Sequence, residues 1–243
     1  MSDVAVRTIS RMWKFAAATA ICIGASAVLY LSIPPNVAHA KPSLDRKWPG
    51  VQQISMDEID HSTYDSLLRK YVDRDDYVNY PAWKQSSPER QSLQNYLAGL
   101  SRASTGKPGS REARLAFWIN AYNAVTLEEI LQVYPTTSIR NHTSRFGGYN
   151  IWKQLPLQVG DGRYSLHQIE HEILRKMGEP RIHFAVVCAS AGCPRLLNEA
   201  YTAENLQHQL TANTKDFFSR SQNFRLDARN RNDVLQFDFE MVC

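Results

Sequence analysis

The segment Arg111–Val133 constrains this chain more than any other. Ser110 can cap a helix start there. Leu115, Ala116, Phe117, Trp118 and Ile119 then make the helix apolar nearly all round. Such a helix is stable only when other elements surround it. Asn120 and Asn123 sit three apart on the stripe of Ala116, Leu127 and Ile130. Buried amides cost free energy unless hydrogen-bonded. Either they bridge to neighbouring backbone, or one of them lines a site.

The rest of the chain supplies the surrounding elements. Ser62 to about Val72 reads as a helix with Leu67, Leu68 and Tyr71 inward. Tyr77–Tyr80 reads as a short strand or extended piece that stops at Pro81. Pro88 suits the first turn of a helix running to Leu100, with Leu93, Tyr96, Leu97 and Leu100 at helical spacing. Pro135 ends the long helix, and Tyr134–Tyr149 reads as a loop. Leu155–Val159 and Arg163–Ser165 flank Gly160-Asp161-Gly162, a hairpin signal. Ser165 with Gln168 forms a capping box for a helix over Leu166–Met177. Arg181–Cys188 contains Ile-His-Phe-Ala-Val-Val and predicts a strand. Thr202–Arg220 is an amphipathic helix on Leu206, Leu210 and Phe217, and Phe224–Leu226 with Val234–Phe239 would make a last hairpin. The expected fold class is α+β, a single mainly helical domain with a small β-sheet. It spans 56–243, with its core over 111–220.

The first forty residues read as an address. Met1–Lys14 carries Arg7, Arg11 and Lys14 against Asp3, Phe15–Ile33 is apolar or small, and Ala38-His39-Ala40 follows Pro34-Pro35. Charged start, apolar middle and A-x-A end describe a secretory signal peptide over 1–40. The alternative is an uncleaved N-terminal membrane anchor. Lys41–Ser55 reads as a linker. The expected location is secreted or periplasmic, with no membrane contact after cleavage. A net charge of +4 without a Lys/Arg block argues against nucleic acid as the ligand. Removal of the signal takes Cys22 and leaves Cys188, Cys193 and Cys243. An odd number of cysteines in an oxidising compartment leaves one unpaired, intermolecular or reactive.

The Cys188-Ala-Ser-Ala-Gly-Cys193-Pro194 segment stands out as a place for chemistry. A thiol followed by glycine and a helical turn is open to activation by backbone N–H groups, which could also hold an oxyanion. The alternative is a Cys188–Cys193 disulfide, which so short a loop makes worth only ~2 kcal/mol. A nucleophile wants a histidine base. On a strand, His183 would face away from Cys188. His208 falls on the solvated face of its helix, and His61 and His142 carry no cue. His171 remains by elimination. On the same helix Glu170 points into the apolar face of Leu166, Ile169, Ile173, Leu174 and Met177. A buried carboxylate must be paired, neutral or functional, and Arg140, Arg181 and Arg195 are its candidate partners. His167, Glu170 and His171 also spell H-x-x-E-H, a zinc-hydrolase pattern of three fixed letters. No downstream acidic ligand can be picked out for it.

Phe117-Trp-Ile-Asn-Ala-Tyr-Asn-Ala124, Tyr134-Pro135 with Ser138-Ile139-Arg140, Ser165-Leu166 with Ile169-Glu170-His171 and Ile173-Leu174, and Pro180-Arg-Ile-His-Phe-Ala185 followed by Cys188-Ala-Ser and Gly192-Cys193-Pro194 stand in this order. Together they resemble the family called domain of unknown function 547, from about Leu115 to Ser219. The resemblance implies a bacterial extracytoplasmic or multidomain-associated module and assigns no reaction. Its pattern includes Asn120, Asn123, Arg140, Glu170, His171, His183, Cys188 and Cys193. Position 167 is often an acid or amide in relatives, which counts against zinc. Relatives usually close with a strand and an aromatic helix, whereas this chain stops at Phe237–Cys243, as though short at the C-terminus.

Two functions from different classes fit these residues. In one, a thiol-dependent hydrolase or transferase uses Cys188 as nucleophile, His171 as base and Glu170 or Asn120 as orienter. Asn123, Arg140, His183, Cys193 and Arg195 would then serve binding. In the other, a non-catalytic binding module is shaped by a Cys188–Cys193 bridge. Either would take a small molecule or peptide. The expectation includes no cofactor and no resident metal.

Overall fold

Helical segments account for most of the architecture in the computed structural model, which describes residues 47–75, 77–136, 156–187 and 193–220. Helix α1 is Ser62–Tyr71, α2 is Tyr80–Gln85, α3 is Ser87–Leu100 and α4 is Arg111–Val133. The chain divides into two units, Met1–His39 and Ala40–Cys243, and all described residues lie in the second. No described helix is long and apolar enough to cross a membrane.

Helix α4 begins as its sequence predicts: the Ser110 side chain accepts a hydrogen bond from Ala113 N–H. Every residue from Leu115 to Leu131 is buried. Helices α2 and α3 pack on one side of it, and α1 packs on α2 and α3. The inward faces expected of α1 and α3 are both found buried. Helix α2 is a correction to the extended reading of Tyr77–Tyr80. Only Val78 pairs, in an isolated bridge to Val72. The Asn79 side chain then caps Ala82 N–H, and Pro81 falls in the first turn, where a proline is tolerated. Lys84 on α2 donates to the carbonyls of Leu131 and Gln132, two of the groups that the end of α4 leaves open.

The expected hairpin is present. Strand β1 (Leu157–Val159) pairs antiparallel with β2 (Gly162–Tyr164), in the register Leu157↔Tyr164 and Val159↔Gly162. Gly160 turns the chain at φ 54°, and its N–H donates to Ser101. A Cβ there would lie 3.0 Å from the Ala103 carbonyl, so both conformation and space require glycine. Mainly helical segments with this two-stranded sheet make the domain α+β.

The expected linker is, from Trp48 onward, fastened to the domain. Trp48 Nε1 donates to Ser101 Oγ at 2.8 Å, and Gln53 Nε2 donates to Asp161 at 3.3 Å. Ile54 bridges Ala103 in parallel.

The capping box at Ser165 and Gln168 is formed, and helix α5 follows it. This helix changes type twice: α over Leu166–Gln168, π over Ile169–Leu174 and 3-10 over Arg175–Met177. The strand expected over Arg181–Cys188 is absent from its described part, which is a 3-10 helix over Pro180–Phe184. Pro180 starts it, and Glu179 caps it by accepting from Arg181 N–H. β-Rich composition does not make a strand without a ladder partner. Helix α6 is Leu206–Ser219, shorter than the predicted Thr202–Arg220. The last hairpin, the loop over 137–149 and the C-terminal end lie outside the described residues.

Truncating the core of α4 should be costly. Phe117→Ala is expected to lower stability by about 3–5 kcal/mol, read from urea unfolding. His61 gives a pH signature. Its Nδ1 shares a proton with Tyr96 Oη at 2.8 Å, and burial, opposed by Asp60, lowers its pKa from 6.5 to about 4. The native state thus favours the neutral ring. Its contribution of about 3 kcal/mol is full above 6.5 and is lost as pH falls toward 4. His61→Gln should flatten the urea stability profile across that window.

Candidate functional site

The two amides of α4 resolve into backbone clamps. Asn120 Nδ2 donates to Tyr201 O at 2.8 Å, and its Oδ1 accepts from Tyr201 N–H at 2.9 Å. Asn123 Nδ2 donates to Ala185 O at 2.9 Å, and its Oδ1 accepts from Val187 N–H at 3.0 Å. The second clamp fixes the residue immediately before Cys188. A third clamp escaped the sequence reading. Asn213 on α6 donates to Phe184 O and to Tyr201 Oη, and accepts from Arg195 Nε at 2.8 Å. The signal was present: Asn213 stands three residues after Leu210 and four before Phe217, on the inward stripe. Arg195 is therefore committed to Asn213, with Asp216 farther off at 3.9 Å.

Glu170 is buried as expected, at 3% exposure. Among the described residues its ion-pair partner is neither Arg181 nor Arg195. Arg140 lies outside the described residues, Arg181 pairs with Glu179, and Arg195 binds Asn213. Arg175 Nη2 instead donates to Glu170 Oε1 at 2.9 Å. In an α-helix, residues five apart diverge by about 140°. The π-turn closes i to i+5 and brings both onto one face. From α4, Tyr122 Oη donates a long 3.5 Å hydrogen bond to Glu170 Oε2.

Two histidines share this charge environment. Burial lowers the pKa of His171; Glu170 opposes that shift, while Arg175 and His167 add to it. Burial also lowers the pKa of His183, with Arg175 and His171 adding and Glu170 opposing. Both rings therefore favour the neutral form at neutral pH. The argument that turned His183 away from Cys188 assumed a strand, and the 3-10 turn removes it. His208 is exposed, as its helical phase predicts. Exposed His167 and half-buried His171 bring their ring centroids to 4.4 Å. Among the described residues no three His, Cys, Asp or Glu side chains converge to hold a metal ion. Cys188 lies outside the described residues. Cys193 is disulfide-bonded, with a partner that also lies outside them.

A cavity of about 440 Å³ is lined by Asp57, Asp60, His61, Asp65 and Arg69, among others. Its aspartates are occupied locally: Asp57 by Ser110, Asp60 by Ser62, and Asp65 by Arg69 and Ala200 N–H. It is a polar seam between elements.

The Asn123 clamp can be tested directly. Asn123→Ala leaves the Ala185 carbonyl and Val187 N–H without their partner. The expected loss is about 2–5 kcal/mol in urea unfolding. Asn123→Asp, which sets a buried carboxylate oxygen against the Ala185 carbonyl, should lose at least as much at neutral pH.

No curated protein and no solved structure matches the chain. A family model matches residues 107–218, a stretch that contains α4, the hairpin, all of α5 and nearly all of α6. All three asparagine clamps and the Glu170–Arg175 pair fall inside it. Over residues 107–218 the chain matches the family described as "Protein of unknown function, DUF547".

Proposed function

We propose that this protein is an extracytoplasmic thiol-dependent enzyme of acyl or peptide transfer or hydrolysis. Cys188 is the nucleophile, His171 the base, and Glu170 the group that orients the imidazole. Asn120 is spent on Tyr201, which leaves the orienting role to Glu170. His183 stands as the neighbouring second imidazole. Arg140 remains a binding residue of the proposal, and export rests on the signal-like segment 1–40.

The observation that carries this reading is the grip of Asn123 on Ala185 and Val187. It fixes the chain one residue before Cys188 to the most buried helix of the domain. Two neutral imidazoles and a buried carboxylate gather on the adjoining elements. Holding a reactive group on a rigid scaffold is what nucleophilic catalysis requires.

A second reading has its own support. Cys193 is disulfide-bonded, and a Cys188–Cys193 bridge would make the segment a shaped binding loop without a nucleophile. Peptide mapping after alkylation without prior reduction separates the two. The enzyme reading expects a free, rapidly alkylated Cys188, with Cys193 paired elsewhere. His171→Ala should then slow turnover of an activated acyl ester by about 10²–10⁴-fold, and Cys188→Ala should abolish it. A Cys188–Cys193 bridge in every molecule, resistant to mild reductant, would overturn the enzyme reading in favour of the binding module.

A further inference from the structure

Arg175 does more than neutralise Glu170. The carboxylate is 5% exposed at its side chain, whereas the guanidinium is 42% exposed. Only Nη2 is used on Glu170. Among the described residues no hydrogen bond engages Nε or Nη1, so part of the planar fork remains open to solvent. A purely structural pair for a buried carboxylate needs no half-open partner. The pair also exists only because the helix turns π between Ile169 and Leu174. π-Turns inside helices are rare and occur mostly at functional sites.

Glu170 and the exposed Glu172 precede Arg175 on this helix, and the exposed Lys176 follows it. Glu170 lies behind Arg175 and takes a second hydrogen bond from Tyr122. His171 and His183 both feel Arg175. As neutral rings they neither repel a cation nor replace the guanidinium as a charge partner. A guanidinium held on one side by a buried carboxylate and open on the other suits two-point recognition of a carboxylate.

We infer that Arg175 is the anchor for a carboxylate carried by the ligand of this site, so that its substrates are carboxylate-bearing acyl compounds or peptides. The inference rests on the location of the site proposed above, but not on its thiol chemistry.

The test is proton–nitrogen NMR of the histidine rings in the intact chain. Acetate is titrated in as the probe, against chloride at equal ionic strength. A bound carboxylate adds negative charge beside His171 and His183, so both should titrate at higher pH with acetate than with chloride. The shift should saturate. Arg175→Lys keeps the positive charge over Glu170 but removes the fork. It should keep the urea midpoint and weaken the acetate effect about tenfold or more, the equivalent of about 1.4 kcal/mol. Arg175→Gln should lose the effect altogether, and Lys covers the case in which Gln fails to fold. Histidine titrations identical in acetate and chloride would overturn the inference. So would an acetate shift unchanged in a folded Arg175→Lys protein. The readout does not involve Cys188. An acetate effect without thiol reactivity keeps the carboxylate anchor and removes only the enzyme reading.

Discussion

The pairing of three buried asparagine side chains with main-chain groups holds the second half of this domain in place. Asn120 and Asn123 come from α4, and Asn213 comes from α6. The described parts of the stretch between Phe184 and Tyr201, 184–187 and 193–201, have little regular structure with which to satisfy themselves, so they borrow donors and acceptors from the helices that carry these asparagines. An amide side chain suits this work because it offers a donor and an acceptor side by side, as a peptide group does. Inside a dry core the arrangement is stringent, because a group left unmatched costs more than a matched one gains. The clamps therefore fix the backbone at Phe184, Ala185, Val187 and Tyr201.

Much of the fold was legible from local signals. The long helix, its serine cap, the glycine turn of the hairpin and the capping box at Ser165 all act within a few residues, and each is found. What the sequence concealed depends on partners distant along the chain. Ile182 to Val187 has the composition of a strand, but among the described residues no neighbouring strand pairs with it. Asn123 takes Ala185 and Val187 instead. The α2 helix was hidden because Tyr77–Tyr80 was read by alternation, while Asn79 and Pro81 together start a helix.

The candidate site was legible in its members and hidden in its pairings. Glu170 was recognisable as buried from helical phase alone. Its partner was not, because an ordinary helix sends Arg175 away from it. A periodic reading assumes one pitch throughout a helix, and here the pitch changes where the charge is placed. The same error in the other direction removed His183, whose exclusion depended on an alternation that the backbone does not have. Asn213 was missed for a simpler reason: it sits on an inward stripe that was counted only for its apolar members.

The segment ahead of α1 bears on how the domain would respond to mechanical load. Ile54 accepts from Ser104 N–H and donates to the Arg102 carbonyl, in a parallel arrangement, and Trp48 and Gln53 are fastened nearby. Tension drawn along the chain from its N-terminal side would meet this cluster before it reached α1. Parallel pairing places its bonds side by side across such a pull, so they share the force in shear rather than opening one after another. A tether on that side would therefore strain the seam between Trp48, Ile54 and the Ser101–Ser104 turn first.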